Sequence, residues 1–177
     1  MKILVIGSPG SGKTTFTIKI SKYLGLPVFH LDDLYWLKGW SRPSEKEWLE
    51  KLNQLVNNNN WIIDGNYYNS LDIRFGQADY VIYLDYPITL CLFRAFKRTL
   101  NRRLFKLELP LQIKQDSSYT PSIKFNIKFI KLIITFKYKY KATIMKMLGS
   151  YKLDSKILKS PKEAEKFLQD LAEKHHI

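Results

Sequence analysis

The chain has 177 residues, 45% of them hydrophobic and 25% charged, enough for one α/β domain with its own core and too few for two. A formal net charge of +13 points toward anionic ligands, and the lone Cys91 excludes an intrachain disulfide. The apolar stretch 129–136 is interrupted by Lys131 and falls well short of the roughly 20 residues that a bilayer requires, which excludes a membrane span there.

In chain order, Ile3-Leu4-Val5-Ile6 reads as a buried parallel strand. It runs into Gly7-Ser8-Pro9-Gly10-Ser11-Gly12-Lys13-Thr14, and 14–24 then carries Phe16, Ile20, Tyr23 and Leu24 on one helical face. A second strand over 27–31 ends in Asp32-Asp33. The next segment, 34–43, is rich in aromatic residues (Tyr35, Trp36, Trp40) and holds the turn formers Gly39 and Pro43. Ser44 and Glu47 form a capping box for a helix whose apolar face is Trp48, Leu49, Leu52, Leu55 and Val56. That helix is expected to stop in Asn57-Asn58-Asn59-Asn60, where asparagine tolerates the left-handed conformation of a C-terminal turn. A third strand, Trp61-Ile62-Ile63, leads into Asp64-Gly65-Asn66. A fourth, 80–85, is followed by Pro87 as first residue of a helix to about Lys106. Residues 108–121 read as loop, 124–148 as one helix and 156–159 as the last strand. A closing helix has Ser160 as its cap, Pro161 as first residue and Glu163 as capping-box partner. Alternating strands and helices predict a parallel sheet covered on both faces, with the strand C-termini along one ligand-binding edge.

The run from Gly7 to Thr14 is a complete G-x-x-x-x-G-K-[ST] phosphate loop, a pattern met by chance about once in a hundred chains of this length or less. Glycines let backbone N–H groups turn inward on phosphate oxygens, and the following helix adds the positive end of its dipole. Gly7, Ser8, Pro9, Gly10, Ser11, Gly12, Lys13, Thr14 and Thr15 are the expected ATP contacts, with Lys13 on the β- and γ-phosphates and Thr14 on Mg²⁺. Asp64, at the end of an apolar strand, is the second expected Mg²⁺ ligand. Asp32 is placed to accept a hydrogen bond or proton from an acceptor hydroxyl. Tyr35, Trp36, Asn66 and Arg74 complete the expected acceptor side, together with Asp32 and Asp64. Arg94, Arg98 and Arg102 share one helical face beside Arg103, a set suited to clamping a transferring phosphoryl group.

The phosphate loop, His30-Leu31-Asp32-Asp33-Leu34-Tyr35-Trp36, Trp61 through Tyr67, Leu71-Asp72-Ile73-Arg74, Tyr83-Leu84-Asp85 and the arginine helix together resemble one family. It is the adenylate-kinase-like P-loop group labelled DNA topology modulation (FlaR-type) proteins. The resemblance implies a nucleoside-monophosphate-kinase fold with a five-stranded parallel sheet in the order 2-3-1-4-5. It also implies a single domain over 1–177, a substrate segment at about 32–60 and a lid-like segment at about 100–125. In adenylate kinases the Asp-Gly motif continues Phe-Pro-Arg, whereas here Asn66-Tyr67-Tyr68 follows and the nearest arginine is Arg74.

Two functions are expected from these residues. The favoured one is a Mg²⁺- and ATP-dependent phosphotransferase with a small-molecule acceptor. The other is an ATP-regulated nucleic-acid-binding protein, supported by the +13 charge and by the tyrosines interleaved in Lys137-Tyr138-Lys139-Tyr140-Lys141. Four apolar residues between Lys2 and Gly7 are too few for a signal peptide, so a cytoplasmic location is expected. The acceptor and the oligomeric state are left open.

Overall fold

The structure is a computed structural model. It describes residues 1–105 and 127–174, except for the side chains of 101–105 and 128. Five strands, β1 (Lys2–Gly7), β2 (Val28–His30), β3 (Trp61–Asp64), β4 (Tyr80–Leu84) and β5 (Asp154–Leu158), form one sheet. All four pairings are parallel and the order is β2-β3-β1-β4-β5, the expected topology.

Side chains on the three central strands alternate between two cores, as the two-residue period of a strand requires. Leu4 and Ile6 of β1, Trp61 and Ile63 of β3, and Val81 and Tyr83 of β4 fill one face. Ile3, Val5, Ile62, Ile82 and Leu84 fill the other. Because both faces are buried, these strands read as unbroken apolar runs.

The helices are α1 (Lys13–Leu24), α2 (Leu31–Tyr35), α3 (Glu45–Val56), α4 (Leu71–Phe75), α5 (Ile88–Phe105), α6 (Ile127–Lys139), α7 (Lys141–Tyr151) and α8 (Pro161–Lys174). The capping box at Ser44 forms in full, with Glu47 N–H donating to Ser44 Oγ at 3.3 Å and Ser44 N–H to Glu47 Oε2 at 2.8 Å. At Ser160, Glu163 N–H donates to Ser160 Oγ at 3.2 Å, but the Glu163 carboxylate accepts from Lys159 N–H at 2.9 Å in place of the cap's own N–H.

Several boundaries differ from the sequence reading. Asn57 is right-handed (φ −75°), so α3 ends without a left-handed residue. Instead the Asn58 side chain donates to Leu55 O at 2.9 Å and satisfies a terminal carbonyl. Pro87 lies one residue before α5, its carbonyl accepting from Cys91 N–H at 3.1 Å. The single helix expected over 124–148 is two, broken at Tyr140. The Tyr140 ring stacks flat on Tyr68, with centroids 3.5 Å apart and planes 9° apart, and Lys141 Nζ reaches Asp85 Oδ2 at 2.6 Å. Those contacts also take one tyrosine and one lysine out of the basic stretch 137–141, leaving Tyr138 as its exposed ring. β5 begins two residues early because the polar Asp154 and Ser155 pair with Tyr80 and Val81 at the sheet margin. The lid-like segment expected at about 100–125 lies, beyond the backbone of α5, outside the described residues.

Candidate active site

The parallel sheet delivers Gly7, His30, Asp64 and Asp85 to one edge. There the phosphate loop departs from β1 and folds back at once, Ser11 N–H donating to Ser8 O at 3.0 Å. Gly10 has φ +84°, and a Cβ on it would run into the carbonyl of Cys91 in α5, so the loop is pressed against that helix. From the same helix Arg94 donates to Ser11 O at 3.0 Å and lies over the Tyr86 ring. Arg94 thus holds the loop from behind. Arg98 lies over Phe129, and its charge is felt at Lys13. The side chain of Arg102 lies outside the described residues.

Lys13 opens α1 and folds over its own loop, with Nζ 2.9 Å from Gly7 O and 3.2 Å from Ser8 O. Burial lowers its pKa and Arg98 lowers it further, while the Asp64 and Asp32 carboxylates pull it upward. Asp64 of β3, Asp32 of α2 and Arg98 of α5 thus all act electrostatically on this one ammonium group. Thr14 and Thr15, on the first turn of α1, are exposed. Ser11 Oγ, by contrast, is buried without a partner among the described residues.

Asp64 is 4% exposed at the tip of β3. Its Oδ2 accepts from Thr17 Oγ1 of α1 at 3.0 Å and from His30 Nδ1 of β2 at 2.9 Å. Burial lowers the His30 pKa, but the bond to Asp64 and the charges of Asp64, Asp33 and Asp32 outweigh it and leave the imidazole raised. Among the described residues no three His, Cys, Asp or Glu side chains cluster to hold a metal unaided. A cation such as Mg²⁺ needs only one carboxylate and a hydroxyl from a protein when phosphates and water fill the rest. Asp64 and Thr14 carry a carboxylate and a hydroxyl at this edge.

Asp32, on α2, is exposed, and Tyr67 O–H donates to its Oδ1 at 2.7 Å. The Tyr67 ring sits 4.5 Å from Tyr35 and 5.1 Å from Trp48, centroid to centroid. Trp36 meets Tyr35 and Trp40 edge-on, with Arg42 over its face. The result is an aromatic wall beside Asp32. Gly65 makes it compact, since a Cβ there would come within 2.7 Å of Leu31 at the head of α2. Asn66 Oδ1 accepts from Gly7 N–H at 3.4 Å and ties the β3 loop to the phosphate loop.

Arg74 departs from the expected acceptor contact. It is fully buried and donates to Gly65 O (2.6 Å), Asn66 O (2.6 Å), Tyr67 O (2.9 Å) and Ser70 O (3.4 Å). Burial pulls its pKa down to about 9, so it stays charged at neutral pH. Its guanidinium nitrogens are taken up by the backbone carbonyls of the loop after β3, which includes the left-handed Tyr67 (φ +30°).

Thr17, His30 and Tyr67 had no assigned role in the sequence. A signal for His30 existed, because a residue ending β2 must arrive at the same edge as one ending β3. Thr17 had none beyond its place one helical turn after Thr14.

No protein-family model matches the chain, and no curated protein matches it by sequence. Solved structures do. The shikimate kinase of Acinetobacter baumannii in complex with shikimate matches with a TM-score of 0.61 at 18% identity, over 97% of this chain and 90% of that one. The shikimate kinase of Bacteroides thetaiotaomicron gives 0.56 at 16% identity, over 100% and 99%. Deoxyadenosine kinase from M. mycoides, with dCMP and dCDP bound, gives 0.52 at 18% identity, over 98% and 100%. The chain has the P-loop kinase fold. The narrower resemblance to topology-modulation proteins finds no support in these matches. Among the described residues, no helix of this P-loop kinase fold is long and apolar enough to cross a membrane.

Proposed function

We propose that the chain is a Mg²⁺- and ATP-dependent phosphotransferase acting on a hydroxyl of a small molecule. The observation that carries this reading is the fold of Lys13 over its own phosphate loop, with Nζ 2.9 Å from Gly7 O and 3.2 Å from Ser8 O, at the sheet edge where β3 also delivers Asp64. The kinase fold, shared with enzymes named for shikimate and deoxyadenosine, supports it.

In this mechanism the loop amides and Lys13 bind the β- and γ-phosphates. Lys13 then exchanges the Gly7 and Ser8 carbonyls for phosphate oxygens and stabilises charge as the γ-phosphoryl leaves. Asp64 and Thr14 would hold Mg²⁺, which when bound neutralises charge on the β- and γ-oxygens. Asp32, fixed by Tyr67, receives the acceptor hydroxyl and takes its proton as the oxygen attacks in line. The wall of Tyr35, Trp36 and Trp40, whose rings meet edge to face, gives the acceptor an apolar flank and displaces water from it.

The test is a thermal-shift screen with Mg²⁺ and a non-hydrolysable ATP analogue, run across sugar alcohols, polyhydroxy acids and nucleosides. Each hit is followed by transfer of labelled γ-phosphate. An acceptor raises Tm with occupancy and becomes labelled. Absence of any labelled product, together with Mg²⁺-independent nucleotide binding, would defeat the proposal. A second expected result concerns Asp64→Asn. Nucleotide affinity without Mg²⁺ should stay within about twofold of wild type, whereas the Mg²⁺ needed for half-maximal turnover should rise by about tenfold or more. Overlaid Mg²⁺ titrations of the two proteins would assign Asp64 to the turn alone.

A further inference from the structure

We infer that His30 and Thr17 are positioning residues that aim Asp64 at the divalent cation, an inference that rests on the functional reading above. Asp64 sits on the last residue of β3, where one χ1 rotation would swing its carboxylate away from the phosphate loop. Two donors from different elements prevent that. His30 stands directly opposite Asp64 in the β2–β3 ladder, and its Nδ1–H reaches Oδ2 at 2.9 Å. Thr17 approaches the same oxygen from α1 at 3.0 Å, its hydroxyl also 2.9 Å from the Thr14 carbonyl. Thr17 is fully buried and Asp64 nearly so, leaving water little access to replace either donor.

The pattern has a chemical consequence. Among the described residues both side-chain donors, Thr17 and His30, fall on Oδ2, so Oδ1 is the oxygen left for a ligand. A carboxylate fixed in this way presents one oxygen in one direction, the usual work of groups behind a metal ligand. Thr17 adds a second link. Through the Thr14 carbonyl it couples the carboxylate to the residue whose hydroxyl is the other expected protein ligand, so the two donor groups are held in mutual register. A purely structural account, in which His30 and Thr17 only satisfy a buried carboxylate, predicts a loss of stability and no change in metal affinity.

Thr17→Val keeps the shape of the side chain and removes only the hydroxyl, while His30→Leu removes the ring donor. The readout is binding of ADP by calorimetry across a Mg²⁺ titration, with Mn²⁺ paramagnetic resonance in saturating ADP as an independent measure of cation affinity. Each variant should weaken the cation by about 10- to 100-fold, with Mg²⁺-free ADP affinity unchanged within about twofold. Thr17→Ser, which restores a hydroxyl, should recover most of the loss. His30→Asn, whose amide nitrogen stands near the Nδ1 position, should recover part of it. Cation affinities equal to wild type in folded Thr17→Val and His30→Leu would overturn the inference even if both melt earlier, and would leave the functional reading standing. A wild-type protein that binds ADP identically with and without Mg²⁺ would overturn both.

Discussion

Replacing Arg74 with Leu should lower stability by about 3–5 kcal/mol, the range for breaking a buried charged network, and Tm by roughly 6–20 °C for a chain of this size. The reason is the set of four carbonyls that its guanidinium holds, those of Gly65, Asn66, Tyr67 and Ser70. Leucine fills part of the volume and satisfies none of them. Tyr67 O keeps the Ser70 N–H and Oγ–H, but the bonds to Gly65 O and Asn66 O, both 2.6 Å, are lost. Each buried carbonyl left unpaired costs about 1–3 kcal/mol before the loop relaxes. Arg74→Lys should recover only a minor part, because one ammonium cannot span the fan of acceptors that a planar fork reaches. Thermal or urea unfolding of both variants provides the check. A loss under about 1 kcal/mol in Arg74→Leu would mean that the loop keeps its shape without the clamp. It would also restore Arg74 as a candidate acceptor contact.

The largest effect on chemistry is expected from Lys13→Ala. Phosphoryl transfer should fall by at least about 100-fold, the scale for removing a preorganised charge from a transition state that spreads negative charge over phosphate oxygens. Stability should hold or rise slightly, because burial and Arg98 both disfavour the ammonium in the free protein and the substitution removes that burden. Turnover by phosphate release or product labelling, paired with a melting curve, separates the two outcomes. Wild-type-like turnover in Lys13→Ala would remove the ground for the mechanism. A large drop in Tm would instead show that the lysine holds the loop together through Gly7 O and Ser8 O.

The framework of this site was legible in the sequence because it depends on local patterns. Apolar runs ending in Gly7, Asp64 and Asp85 specify buried parallel strands, and the right-handed crossover rule brings their ends to one edge. What the pattern could not supply was direction. Arg74 and Arg94 are both arginines near phosphate-loop elements, yet one turns wholly into the β3 loop and the other donates to Ser11 O. Spacing along a chain carries no information about which carbonyl a long side chain will find. The break at Tyr140 was hidden for a related reason. The stretch 137–141 contains neither glycine nor proline, and the helix stops where Tyr68 and Asp85, distant in sequence, offer better partners than another helical turn. Short helices such as α2 and α4, five residues each, escape periodicity because one turn cannot display a period.

The seat of Gly10 against the Cys91 carbonyl governs how the phosphate loop moves. With no side chain between them, and with Arg94 holding Ser11 O from the same helix, the loop cannot open while α5 stays in place. Amide hydrogens of the loop and of the first turns of α5 should therefore exchange with solvent as one cooperative unit, with a common opening free energy. Bound phosphate would then slow exchange along α5 as well as in the loop, carrying the occupancy of the nucleotide site outward along the helix.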